Sequence, residues 1–265
     1  MESAECRVEE VSLSPRLFDS TARRVLSLAL AVGVALAGCG KSAPDDAPAD
    51  VSLVKVQAGS GTLRGTVAFN GVAPAMKEIA NVPCHEGAKP TKEESVVVNA
   101  NGTLRNAVIY LKNVTADPLP GTPAPVLDQV GCQYVPHVVA VQAGQPLTIR
   151  SSDPTIHNVH YSPQVNKANN LNFTAAGTEQ RVTFAQPEFV RFKCDIHPWM
   201  NAYAGVFPHP FFAVTGDDGR FEISRLPAGT YTLVAWHERF GELEQSITIA
   251  EGHAPPVDVT FTYAP

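Results

Sequence analysis

Nowhere along the chain do apolar residues return every three or four positions for long enough to build a long helix, and that absence argues for an all-β fold. Charge is also sparse: 20 Lys and Arg stand against 26 Asp and Glu, a net charge of -6. Beyond the amino-terminal Arg23 and Arg24 the basic residues form no cluster, so no stripe can track a phosphate backbone and nucleic acid is not an expected partner. No apolar stretch reaches the roughly 20 residues that a membrane-spanning helix needs. No solenoid-type repeat is visible, and no Ser-His-Asp or paired-carboxylate arrangement stands out as catalytic machinery.

What the chain has in quantity is turn formers, 22 Pro and 19 Gly among 265 residues, which suit short strands joined by turns. Its first distinctive segment is the apolar run from Val25 to Cys39, which follows two arginines and precedes a polar stretch. That is a secretory signal pattern. Its end, Leu36-Ala37-Gly38-Cys39, resembles the lipobox of bacterial lipoproteins; an ordinary cleavage site or a single anchor helix is the alternative. The lipobox implies a signal peptide over residues 1–39, lipidation of Cys39, and an exported protein, periplasmic or at the cell surface, tethered to a bacterial membrane. Residues 40–60, rich in Ala, Pro, Asp and Ser, read as a linker. On that reading Cys84, Cys132 and Cys194 remain in an oxidising compartment. If Cys84 and Cys132 form a disulfide, Cys194 is left over, and a leftover exported thiol calls for a use such as metal ligation.

Beyond the linker the pattern is one of short strands. Residues 62–69, 94–98 and 105–112 alternate apolar with polar between turn signals such as Asn70-Gly71 and Asn101-Gly102. A proline-rich break at residues 118–125 separates this 61–121 region from a unit at 122–208, with strands expected at 134–142, 146–151, 157–161, 179–184 and 189–194. A last unit, 209–265, has them at 219–223, 226–236, 245–249 and 257–262. The last two read as antiparallel sandwiches. The 61–121 region either stands alone or completes a sandwich with 209–265, leaving 122–208 inserted; both arrangements fit the pattern.

The sharpest chemical signal is Cys194-Asp-Ile-His197-Pro-Trp-Met200, three metal-binding residue types at three-residue spacing. One thiolate, two imidazoles and a weak thioether suit a copper ion that cycles between Cu(I) and Cu(II). The second imidazole is expected from His157, in Asp153-Pro-Thr-Ile-His157-Asn158-Val159-His160 at the start of a strand. Val190, Phe192 and Cys194 share one face of the strand before the loop, which points Cys194 inward. Pro198 and Trp199 are then placed to surround His197 with apolar surface.

These residues resemble the cupredoxins, and among them the amicyanins, in the His-Asn-Val-His segment and the short Cys-x-x-His-Pro-x-Met loop; the match covers roughly residues 130–207. The resemblance implies a Greek-key β-sandwich holding one mononuclear type-1 copper on His157, Cys194, His197 and Met200, with Asn158 tying the first histidine's strand to the cysteine loop. His160 and Pro198 lie around this set. It also implies single-electron transfer to a redox protein partner rather than catalysis. The final unit, with Asp217-Asp-Gly-Arg-Phe-Glu-Ile and Leu226-Pro-Ala-Gly-Thr-Tyr, resembles the carboxypeptidase regulatory-like domain, a transthyretin- or immunoglobulin-like β-sandwich that carries no chemistry of its own. Residues 62–69 look like the opening strand of such a domain.

Other readings of the same residues stay open. Zinc accepts Cys and His, although it has no use for Met and its structural sites usually show paired Cys. His160 faces away from His157 on a strand and is the reserve ligand. Cys84, His85, Cys132 and His137 can be drawn as a second metal site, with a disulfide as the simpler account. A copper carrier or sensor would extend the site through His160, His209 and His237, and a surface binding module would use neither sandwich for redox chemistry.

Overall fold

The computed structural model describes residues 52–79, 91–252 and 256–264; the signal and lipobox reading, most of the linker, and Cys84 fall outside them. Among the described residues every regular element is a strand. In chain order these are β1 (Val54–Val56), β2 (Gly61–Phe69), β3 (Glu78–Ile79), β4 (Thr91–Lys92), β5 (Val108–Leu111), β6 (Val114–Ala116), β7 (Val126–Val130), β8 (Gln133–Val135), β9 (Val138–Gln142) and β10 (Pro146–Ser151). They continue as β11 (His157–Tyr161), β12 (Asn169–Phe173), β13 (Thr178–Thr183), β14 (Glu188–Lys193), β15 (Asn201–Phe207), β16 (Phe212–Val214), β17 (Arg220–Leu226), β18 (Gly229–His237), β19 (Gly241–Ile249) and β20 (Val257–Tyr263).

Two sandwiches result. One packs the sheet β13-β10-β7-β8 on the sheet β12-β11-β14-β15-β9; the other packs β16-β5-β18-β19 on β17-β2-β20. The second is discontinuous: β2 lies between β17 and β20, and β5 lies between β16 and β18. Strands β7–β15 are thus inserted, in chain order, between β6 and β16, and β16–β20 complete their two sheets only with β2 and β5. The two ends of the insertion are stitched together, since the Ala116 and Thr115 donors both reach the Pro208 carbonyl at 3.1 Å and Gln142 Nε2 reaches the Ala116 carbonyl at 2.8 Å.

Several sequence expectations need correction. Neither sandwich is purely antiparallel, because β7–β10, β9–β15 and β2–β20 pair in parallel; in each pair other strands intervene in the chain, so no hairpin dictates direction. Residues 94–98 form only an isolated bridge from Val98 to Leu104. The run at 134–142 breaks at Pro136, which has no N–H for a ladder, and 226–236 divides between β17 and β18 at Pro227-Ala228.

Each sandwich has its own apolar core, and a third cluster joins them. It forms because β15, and β14 at Phe189, are covered on both faces. Ala202, Ala204 and Val206 face the inserted core, whereas Tyr203, Phe207 and Phe189 face the other sandwich. There Phe189 stacks on Trp236 at 4.0 Å, and Tyr203 meets the same indole at 5.5 Å. Gly205 is needed between them: a Cβ there would lie 2.7 Å from the Phe207 ring and 3.1 Å from that of Phe189. His137 and Glu238, both buried, bond across the same junction.

His209 and His237 belong to the second sandwich and are buried. His209 donates from Nε2 to the Leu111 carbonyl at 2.8 Å and accepts the Phe211 N–H on Nδ1 at 3.0 Å, so both nitrogens are used by the neutral ring. Burial pushes its pKa down to about 4, and burial followed by the charges of His137 and Arg239 does the same for His237.

Two outcomes follow from this architecture. Leu63→Ala, in fully buried β2, is expected to cost about 2–5 kcal/mol and to raise amide exchange at Ile223 and Val259, far along the chain; exchange rising only near residue 63 would contradict the shared core. Below the ordinary histidine pKa of about 6.5, the unfolded chain takes up protons that folded His209 and His237 refuse. Stability therefore falls as pH drops from about 6.5 toward about 4, by on the order of 3 kcal/mol per ring. Denaturant titrations across that window should show a shallower slope for His209→Gln.

Candidate metal centre

The site lies where two neighbouring strands part. β11 and β14 pair at Tyr161↔Phe192 and His160↔Lys193, and the ladder stops there. Beyond it, His157 and Asn158 continue β11 while the chain after Lys193 turns through the loop 194–200 into β15. Asn158 fills the gap: its Oδ1 accepts the Asp195 N–H at 2.8 Å and the Cys194 thiol at 3.3 Å, while its Nδ2 donates to Asn170 and Asp195. Tyr134 O–H donates to the Asn158 carbonyl at 2.6 Å. The loop closes on itself through the Cys194 N–H to the Met200 carbonyl at 3.1 Å and the Met200 N–H to the His197 carbonyl at 2.8 Å. Val190, Phe192 and Cys194 are all buried, with Arg191 and Lys193 exposed on the opposite face.

Three of the four expected ligands converge. His157 Nδ1 lies 3.0 Å from His197 Nδ1, and Cys194 Sγ is 3.7 Å from that nitrogen. Met200 is buried in the same cluster as Cys194. His157 Nε2 is 2.9 Å from the Asp153 carboxylate, an acceptor only, which puts the ring hydrogen on Nε2 and the lone pair on Nδ1. Two imidazole nitrogens and a sulfur thus face one another in a dry place and require a positive charge, a proton or a metal ion, between them. The donor set fits a metal. Separations of 3.0 and 3.7 Å would accommodate an ion bonded at about 2.0 Å to nitrogen and about 2.3 Å to sulfur.

The electrostatics agree. Burial alone would raise the Cys194 pKa, but interaction with His157 and with the backbone of Asn158, His197 and Ile196 outweighs it and holds the thiol below its usual range. Burial disfavours charge on His157, yet its bonds to Cys194 and Asp153 raise its pKa. His197 is lowered, first by burial and then by the charge of His157. A thiolate beside two imidazoles is the state that accepts a soft cation.

The remaining expected residues are placed as follows. His160 points out and bonds Asp195 from Nδ1 at 2.9 Å, so it does not join the cluster. Pro198 is exposed on the loop. Cys132 is disulfide-bonded, with its partner outside the described residues. Its sulfur lies within 4.8 Å of the His157 and His197 donors, but a disulfide sulfur offers no thiolate, and Cys194 is the thiol that does. His137 is committed to Glu238 rather than to Cys132.

The sequence reading missed Asp153, Tyr134 and the bond from Trp199 Nε1 to the Cys132 carbonyl at 3.0 Å. An aspartate four residues before a ligand histidine was the available signal for the first; the other two depend on tertiary contacts.

The carboxypeptidase regulatory-like domain family matches residues 208–262, which span β16 to most of β20; here β2 and β5 complete that sandwich. No curated protein matches the chain. Among solved structures, the chain is similar to a variant of amicyanin in its reduced Cu(I) form, at 23% identity over 32% of this chain and 84% of that one, with a TM-score of 0.29. It is also similar to a purple cupredoxin from Nitrosopumilus maritimus, at 18% identity over 31% and 98% with a TM-score of 0.27. A third is a Cu-containing nitrite reductase from Thermus scotoductus, at 18% identity over 53% and 28% with a TM-score of 0.31.

Asn158→Ala leaves the Asp195 N–H without its acceptor and is expected to destabilise the protein by about 1–3 kcal/mol. It should also speed modification of the Cys194 thiol by a disulfide reagent in metal-free protein. Unchanged thiol reactivity would mean that the loop is held without Asn158.

Proposed function

We propose that the protein is a single-electron carrier with one type-1 copper held by His157, Cys194, His197 and Met200. The observation that carries this reading is the convergence of two imidazole Nδ1 atoms and one free cysteine sulfur at 3.0 and 3.7 Å. Copper bound there supplies one-electron chemistry between Cu(I) and Cu(II). The chain's part is to hold the donors in place through Asn158 and the closed loop, and to keep water out with a buried cysteine, methionine and histidine.

The route outward is short. Ile156 and Ile196, 53% and 51% exposed, flank the two histidines, and Pro198 is exposed beside His197. This apolar rim suits brief contact with a redox protein, with His197 just beneath the surface. Metal carriage through further histidines is less well served, because His209 is bonded through both nitrogens inside the other sandwich and His160 is engaged with Asp195. Tethering to a membrane through Cys39, outside the cytoplasm, completes the proposal. No helix of the described residues is long and apolar enough to cross a membrane.

The visible and electron paramagnetic resonance spectra of the full chain loaded with Cu(II) test the site. An intense blue thiolate-to-copper band with narrow hyperfine splitting, lost in Cys194→Ala, is the expected result. A pale spectrum that survives Cys194→Ala would sink the assignment.

A further inference from the structure

His157 turns Nδ1 toward the cluster, and the partner of its other nitrogen decides how strong a donor the ring is. That partner is the Asp153 carboxylate, at 2.9 Å, with side-chain exposures of 0% for the histidine and 5% for the aspartate. The carboxylate is itself held. Gly131 N–H donates to Oδ1 at 2.7 Å and Cys132 N–H to Oδ2 at 2.8 Å. These two residues are the two-residue turn of the β7–β8 hairpin, with φ of 61° and 55°. Glycine adopts that left-handed conformation freely, whereas cysteine does so at a steric cost. The geometry aims two successive N–H groups at one anion. On its other side the same turn accepts the Trp199 indole N–H at the Cys132 carbonyl, so it braces both the first histidine and the ligand loop. Three N–H donors on one carboxylate, none of them needing a proton from it, define the charged form.

We propose that Asp153 is a positioning residue of the metal centre: it fixes His157 with hydrogen on Nε2 and the lone pair on Nδ1, and its charge holds the centre at a lower potential than the same ligands would have without it. The inference rests on the copper reading. A carboxylate bonded to the far nitrogen of a ligand histidine raises the basicity of the near one, and added negative charge favours Cu(II) over Cu(I).

Asp153→Asn removes the charge and keeps an acceptor for Nε2–H. Spectroelectrochemistry of the copper-loaded full chain should show a midpoint potential above that of the parent, with the thiolate-to-copper band retained. Asp153→Glu should move the potential back toward the parent. An unchanged potential in Asp153→Asn, with the band present, overturns the role of Asp153 and leaves the copper centre standing. A parent without the band removes the copper reading and this inference with it. If Asp153→Asn does not fold, the reduced parent decides: nitrogen-15 NMR should find the His157 proton on Nε2 and slow to exchange, and a proton on Nδ1 overturns the proposal.

Discussion

Everything in this molecule turns on keeping three lone-pair donors face to face where water cannot separate them. Two imidazole nitrogens at 3.0 Å with a sulfur 3.7 Å away repel one another unless a cation or proton lies among them. Left to local preferences, a loop of seven residues would relax the strain by turning one ring outward. It is prevented from doing so on every side: Asn158 pins the start of the loop, Met200 closes its end, and the Asp153 carboxylate holds the first ring from behind. Under the proposed reading, affinity for a soft metal comes from organisation already present before the ion arrives.

That organisation is supported because β15, the strand that leaves the loop, is covered on both faces. A surface β-hairpin is at best marginal by itself. Here β14 and β15 have an apolar core beneath them and the aromatic contacts of Phe189, Tyr203 and Phe207 above, with Trp236 supplied by the second sandwich. The second sandwich thus contributes a wall of the scaffold around the candidate metal centre although it holds none of the candidate ligands.

The legible part of this design is what local sequence records. Alternation at Val190, Phe192 and Cys194 gave the inward direction of the thiol, and the spacing of Cys194, His197 and Met200 marked the loop. The sequence also left both domain arrangements open, since β2 and β5 look like any other strands until their partners are known. What stayed hidden was set by non-local pairing or by backbone angles unusual for the residue. The parallel ladders of β9 with β15 and of β2 with β20 have no turn to announce them. Val130-Gly131-Cys132-Gln133 reads as a turn only if cysteine is allowed a φ of 55°, and a cysteine already assigned to a disulfide gave no reason to think of its backbone N–H as part of a metal centre. Asp153 was in plain view, but its bonds to the Gly131 and Cys132 N–H groups come from a turn more than twenty residues away.

The insertion explains why two sandwiches serve a site that uses the ligands of one. A domain joined to its neighbour by a single linker can swing, and the distance from its metal to any surface on the neighbour varies with the swing. This one is joined by two chain segments bonded to each other at Ala116 and Pro208 and pressed along a partly buried aromatic face. Both features remove rotation, the first about the neck and the second about the long axis of the contact. Electron transfer falls off steeply with distance, so a carrier whose centre stays fixed relative to its own body presents one docking geometry rather than many. The rigid junction is therefore as much a part of the proposed function as the ligands, and the aromatic residues that build it carry a demand that the chemistry of the copper loop alone does not explain.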